Sequence, residues 1–159
     1  MYEYRAQVIN VVDGDTVDVD IDLGFDIILR DERVRIMGID TPESRTTDRV
    51  EKLFGKLAGK RVKELLEGDV VLCTQLNKDG EDMRGKFGRV LGDFKIGDKL
   101  LTEILVEEGY AVAYHGGAKE DIDAQHLQNR KKLLAEGVVT EEELALAEEE
   151  TRRLGRLAD

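Results

Sequence analysis

From Thr16 to Leu23 the chain alternates between two kinds of side chain, and that alternation limits the fold more than any other stretch. Val17, Val19, Ile21 and Leu23 fall on one side and Asp18, Asp20 and Asp22 on the other, the period of a strand with one face in a core and one in water. An Asp13-Gly14-Asp15 turn precedes it, and Tyr4 to Val12 reads as its partner, so the chain opens with an antiparallel hairpin. The run D-x-D-x-D followed by glycine invites comparison with an EF-hand calcium loop. Counted from Asp18, however, the glycine comes one place late and the twelfth position is Leu29 rather than glutamate. Acidic residues on the wet face of a strand account for the run.

Gly24 breaks this strand, and Phe25 to Arg30 returns towards the segment RVRIMGIDTPE, Arg33 to Glu43. That segment begins as a strand and turns at Gly38 and at the single proline of the chain. Pro42 locks its own φ and pushes Thr41 towards an extended conformation, so Asp40 and Glu43 are presented rigidly, with Arg35 nearby. Fixed carboxylates beside an arginine suit a metal and a phosphate; a solvated loop holding an ion pair is the plainer reading of the same residues.

From Asp48 the period changes. Val50, Leu53, Phe54, Leu57, Ala58, Val62, Leu65 and Leu66 form a helical stripe, Asp48 with Glu51 resembles a capping box, and Gly68 ends the helix. Val70 to Leu76 and Phe87 to Phe94 read as strands, Asp98 as the cap of a short helix carrying Leu101 and Leu105, and Ile122, Leu127, Lys131 and Leu134 as one face of a third helix. Five strands with a helix after the third predict an α+β fold, a five-stranded Greek-key barrel of the OB type with three helices. Residues 1–137 make that domain. Residues 138–159 make an acidic helical extension opened by a Thr140-x-x-Glu143 capping box, read either as a helix lying loosely on the domain or as an arm for self-association or a protein partner.

Composition sets the limits on function. The 159 residues are 41% apolar, enough for one core, and the formal net charge is −11. A basic surface that captures nucleic acid non-specifically is excluded; any such contact is local, through a few arginines and bound cations. The N-terminus lacks the basic start and apolar run of a signal peptide, and no apolar stretch has membrane-spanning length, so a cytoplasmic protein without membrane partners is the expectation. Cys73 reads as a small buried hydrophobe, and His115 and His126 lack the spacing of a zinc site.

Five pieces, VVDGDTV, VRIMGIDTPES, KFGRVLG, LLTEILVEEGYAVAY and QHL, occur in the order and with about the spacing of the staphylococcal nuclease (thermonuclease) family, which the chain resembles from Tyr4 to Leu134. The resemblance implies an OB-fold phosphodiesterase dependent on calcium. It implies metal ligands at Asp15, Asp40 and the main-chain carbonyl of Thr41, phosphate-clamping arginines at Arg35 and Arg89, and a water-activating carboxylate at Glu43. Lys86, Phe87 and Tyr114 match positions lining the nucleotide pocket, with Phe87 where a tyrosine is usual. Between Asp15 and Arg35 the chain is several residues longer than the best-known family pattern, so the acidic hairpin is expected to project farther, over the site.

The expected activity is calcium-dependent hydrolysis of DNA and RNA, with unpaired strands preferred because their bases can stack on Phe87 and Tyr114. The alternative is a catalytically inactive OB-fold module that only binds nucleic acid. Intact Asp15, Arg35, Asp40, Glu43 and Arg89 favour the enzyme, since a binding surface has no need of all five.

Overall fold

The computed structural model describes residues 2–74 and 88–158. Its strands are β1 (Tyr2–Asp13), β2 (Thr16–Asp22), β3 (Ile28–Ile36), β4 (Ile39–Asp40), β5 (Asp69–Thr74), β6 (Val90–Ile96), β7 (Lys99–Leu100) and β8 (Val112–Ala113). Its helices are α1 (Arg49–Leu65), α2 (Leu101–Glu108), α3 (Lys119–Ala135) and α4 (Glu141–Ala158). The large sheet runs β3-β2-β1-β5-β6, and β3 also pairs with β6, in parallel, through Val34 with Val90, Arg35 with Leu91 and Ile36 with Gly92. That pairing closes a five-stranded barrel of the OB type, decorated by helices. β7 extends β6, while β4 and β8 form a separate antiparallel ribbon.

The alternation of β2 does what its period requires: Val17, Val19 and Ile21 are buried with Val34, Ile36, Leu72 and Phe94. Two positions depart from the expectation. Leu23 lies beyond the strand and is exposed, and Asp18 is buried. A forked ion pair explains the second departure, because Arg33 Nε and Nη2 donate to the two Asp18 oxygens at 2.9 and 3.2 Å. Asp18 and Asp20 therefore face Arg33 and Arg30 on β3 rather than open water. The hairpin tip does not lean over the site residues of β3. Thr16 pairs with Arg35, and the tip lies beyond Asp22, about 20 Å of strand farther on.

Helix α1 starts as anticipated, with Asp48 Oδ1 accepting from the N–H groups of Val50 and Glu51. The capping box is not closed, however: the Asp48 N–H donates to Thr46 Oγ1, and Glu51 Oε1 accepts from the Glu43 N–H at 3.3 Å. At α2 the expected cap is displaced. Asp98 sits in the turn before β7, Leu100 is the N-cap residue, and Asp93 on β6 does the capping through Thr102, whose N–H and hydroxyl donate to it at 3.4 and 2.6 Å. On α3 it is Ile122 and Leu133 that are buried, and Leu127 is exposed. The Thr140–Glu143 box forms, with the Glu143 N–H donating to Thr140 Oγ1 at 3.1 Å.

A second, smaller core joins α1 to the chain that follows α3. Phe54, Leu133 and Val139 are buried together, and Leu53, Leu57, Val138 and Leu144 pack against them. The α4 helix is docked rather than loose: Ala147 is buried, and Thr151 Oγ1 accepts the Arg49 N–H at the start of α1. Among the described residues no helix is long and apolar enough to cross a membrane.

Candidate active site

Two glycines bring the candidate residues together. A Cβ on Gly14 would lie 2.9 Å from the Ala58 Cβ and 3.2 Å from Thr41 Cγ2, so the Asp13-Gly14-Asp15 turn can nest against α1 and the Thr41 turn only without a side chain. A Cβ on Gly55 would meet the Glu43 carbonyl and the Pro42 oxygen at 2.8 Å, so α1 carries the Pro42–Glu43 backbone directly on its surface. The β1–β2 turn and the turn after β4 are thereby stacked on one helix.

Asp15 and Arg35 meet at the centre of this arrangement. Arg35 Nη1 lies 3.1 Å from Asp15 Oδ2 and donates to the Ile36 carbonyl at 2.8 Å, while the Thr16 hydroxyl donates to Asp15 Oδ1 at 2.9 Å. Asp40, Thr41, Glu43 and Tyr114 line one cleft of about 440 Å³, together with Glu51, Lys119 and Asp123. Arg89 does not share that cleft. It lines another of about 520 Å³ with Asp13, Thr16, Arg33 and Arg45. Tyr114, nearly half exposed, also borders a larger cleft, about 740 Å³, beside Met37, Gly38 and His115. Lys86 and Phe87 lie outside the described residues.

Negative charge accumulates here beyond what Arg35 offsets. Burial raises the Glu43 carboxyl, the fields of Asp15, Glu51 and Asp40 push it the same way, and Arg35 pulls it back only in part. Asp13, half-buried, is raised from 3.8 to about 6 by burial and by sharing a hydrogen bond with Asp15. Sequence reasoning overlooked Asp13 because the metal assignment in DGDT went to Asp15. It also overlooked His126, whose Nε2 lies 2.7 Å from Asp40 Oδ2. Eighty-six positions separate the two, and no local spacing connects them. Cys73 is buried as expected, and burial raises its thiol.

Among the described residues no three His, Cys, Asp or Glu side chains form a ready-made metal cage. The donor set nevertheless fits a hard cation: all the candidate ligand groups are oxygens, two carboxylates and one main-chain carbonyl, and a divalent ion taking water for its other positions would relieve the repulsion felt at Glu43 and Asp13.

The fold and this cleft define a class, an OB barrel with an arginine-flanked acidic site at one rim. The family model described as Staphylococcal nuclease homologue matches residues 33–136, and the chain belongs to the staphylococcal nuclease family. It is 36% identical over 103 residues to a thermonuclease of Staphylococcus intermedius, covering 65% of this chain and 55% of that protein. It is 36% identical over 104 residues to endonuclease YncB of Bacillus subtilis (strain 168), covering 65% and 45%. To a micrococcal nuclease of Shigella flexneri it is 31% identical over 140 residues, covering 82% and 69%. The chain thus spans about half the length of the first two of these relatives. The family match begins at Arg33, so Asp13 and Asp15 precede the matched residues.

Proposed function

We propose that the protein is a calcium-dependent nuclease that hydrolyses phosphodiester bonds in DNA and RNA, with unpaired strands preferred. The observation that carries this reading is the convergence of Asp40, Thr41 and Glu43 on one cleft beside the Asp15–Arg35 pair, in a chain of this family. Asp15, Asp40 and the Thr41 carbonyl would hold the cation. Bound there, calcium supplies positive charge to a phosphate oxygen and to the attacking water.

The remaining work falls to the chain's own residues. Arg35, fixed against the Ile36 carbonyl, keeps further N–H groups to donate to a phosphate oxygen, and Arg89, which lines a cleft with Asp13 and Thr16, would supply a second guanidinium. Such preorganised donors act on charge that grows in the transition state, so they favour turnover over binding. The Glu43 backbone is held by its N–H on Glu51 and by α1 beneath it, which supports a role for its carboxylate in orienting the water and receiving its proton. Arg35 and a cation both favour the ionised form this requires. Tyr114 offers an exposed ring for an unstacked base, and Lys86 and Phe87 are assigned to the same nucleotide pocket on sequence alone.

The test is cleavage of denatured and duplex DNA and of RNA with calcium, magnesium or chelator, comparing the native chain with Glu43→Gln. The expected result is calcium-dependent cleavage, faster on single strands, that collapses in the variant. Binding without cleavage under every metal would instead identify a nucleic-acid-binding module that has lost turnover.

A further inference from the structure

Asp40 stands on a strand of two residues, with its side chain nearly half exposed, and a short exposed carboxylate of that kind is free to rotate. In this molecule it is not free. His126 Nε2 reaches Asp40 Oδ2 at 2.7 Å from a side chain that is itself only 13% exposed. The imidazole takes one oxygen of the carboxylate, and the same side chain lines the cleft shared with Thr41 and Glu43.

The helix behind His126 is firmly set. One turn along α3, Asn129 Nδ2 donates to the Ala111 carbonyl at 3.2 Å, next to the residue that pairs with Asp40 in the β4–β8 ribbon. The Arg130 guanidinium lies 5.3 Å from the centre of the Phe54 ring, and Ile122 and Leu133 are buried. One face of α3 therefore grips both the side chain of Asp40 and the backbone of its partner strand.

We infer that His126 is a positioning residue for the cation site: it holds the Asp40 carboxylate in the one orientation that leaves an oxygen facing the cleft. The inference rests on the cation-binding reading proposed above. Groups that hydrogen-bond a metal-ligating carboxylate typically change metal affinity by about 10- to 100-fold when removed, because the ligand must then be ordered by the metal itself. A histidine that only fills space between α3 and the ribbon would affect melting and leave affinity alone.

The experiment is calorimetric titration of calcium into the native chain, His126→Ala and His126→Gln, with thermal melts of each to show that it is folded. Calcium affinity is expected to fall about 10- to 100-fold in His126→Ala. It should recover largely in His126→Gln, whose amide N–H can reach the same oxygen. Should the alanine chain fail to fold, His126→Leu keeps the bulk without the donor and serves the same comparison. Equal or tighter binding by the variant lacking the donor overturns the inference while the cation site stands. No calcium binding by the native chain overturns the cation site, and this inference with it.

Discussion

Carboxylates face arginines in two regions of this molecule, and the balance differs between them. Along the β2–β3 hairpin two acids each have an arginine: Asp18 has Arg33, and Asp20 has Arg30 at 3.0 Å together with the Asp31 N–H. At the barrel rim Asp13, Asp15, Asp40, Glu43 and Glu51 crowd one another, and Arg35 offsets only part of their repulsion at Glu43. One-to-one pairing makes a finished sheet surface. An unbalanced cluster held rigidly by backbone packing is destabilised until something positive enters it, which is the property a cation and phosphate site needs.

The comparison breaks most decisively at the arginines. Arg35→Ala is expected to lower kcat by about 10²- to 10³-fold with a smaller change in substrate affinity, because it removes a donor directed at transition-state charge. Arg30→Ala, in the balanced row, should leave kcat within about twofold, since exposed ion pairs contribute little. Equal effects on steady-state cleavage of denatured DNA would abolish the distinction between the two regions.

A smaller effect tests how the unbalanced cluster is held. Gly55 and Gly59 sit one turn apart on α1, yet a Cβ at Gly55 meets the Pro42–Glu43 backbone at 2.8 Å while one at Gly59 finds its nearest atom, Asp13 Cα, at 3.6 Å. Gly55→Ala should therefore cost about 1–3 kcal/mol by overpacking. It should also slow cleavage, by up to about 10²-fold if Glu43 moves by an ångström. Gly59→Ala should stabilise by about 0.5–1 kcal/mol through helix propensity, with cleavage unchanged. Denaturant melts and rates measured on the same pair of chains decide between these outcomes.

The parts of this architecture legible in the sequence are those governed by neighbours along the chain. Period-two burial placed Val17, Val19 and Ile21, Asp48 capped α1, and the Asp40–Glu43 turn followed from Pro42. Family motifs added the barrel that periodicity alone only suggested. What escaped was set by contacts between distant segments: Arg33 burying Asp18, Asp93 capping α2 from a strand, Glu51 reaching Glu43, and His126 holding Asp40. Each is a polar side chain finding its partner only after the barrel closes, and no local pattern announces such a partner. The docking of α4 was equally hidden, because Val139 and Ala147 acquire their burial from α1 and α3.

The smallest expected effect concerns the energetic cost of the imbalance itself. With its pKa raised from 3.8 to about 6, Asp13 binds its proton more tightly in the folded chain than in the unfolded one. Its contribution to stability is therefore full below about pH 4 and is lost as pH rises through 6. The shift corresponds at most to about 3 kcal/mol, and solvent screening of a half-exposed group reduces that to about 1. In chelator, Asp13→Asn should thus be about 1 kcal/mol more stable than the native chain at pH 7 and no more stable at pH 3.5. Asp18→Asn, which breaks a forked pair in the balanced row, should be less stable than the native chain at pH 7. Urea melts at the two pH values separate the cases. If Asp13→Asn gains nothing at pH 7, the crowded carboxylates carry no cost, and the site loses its electrostatic reason to take up a cation.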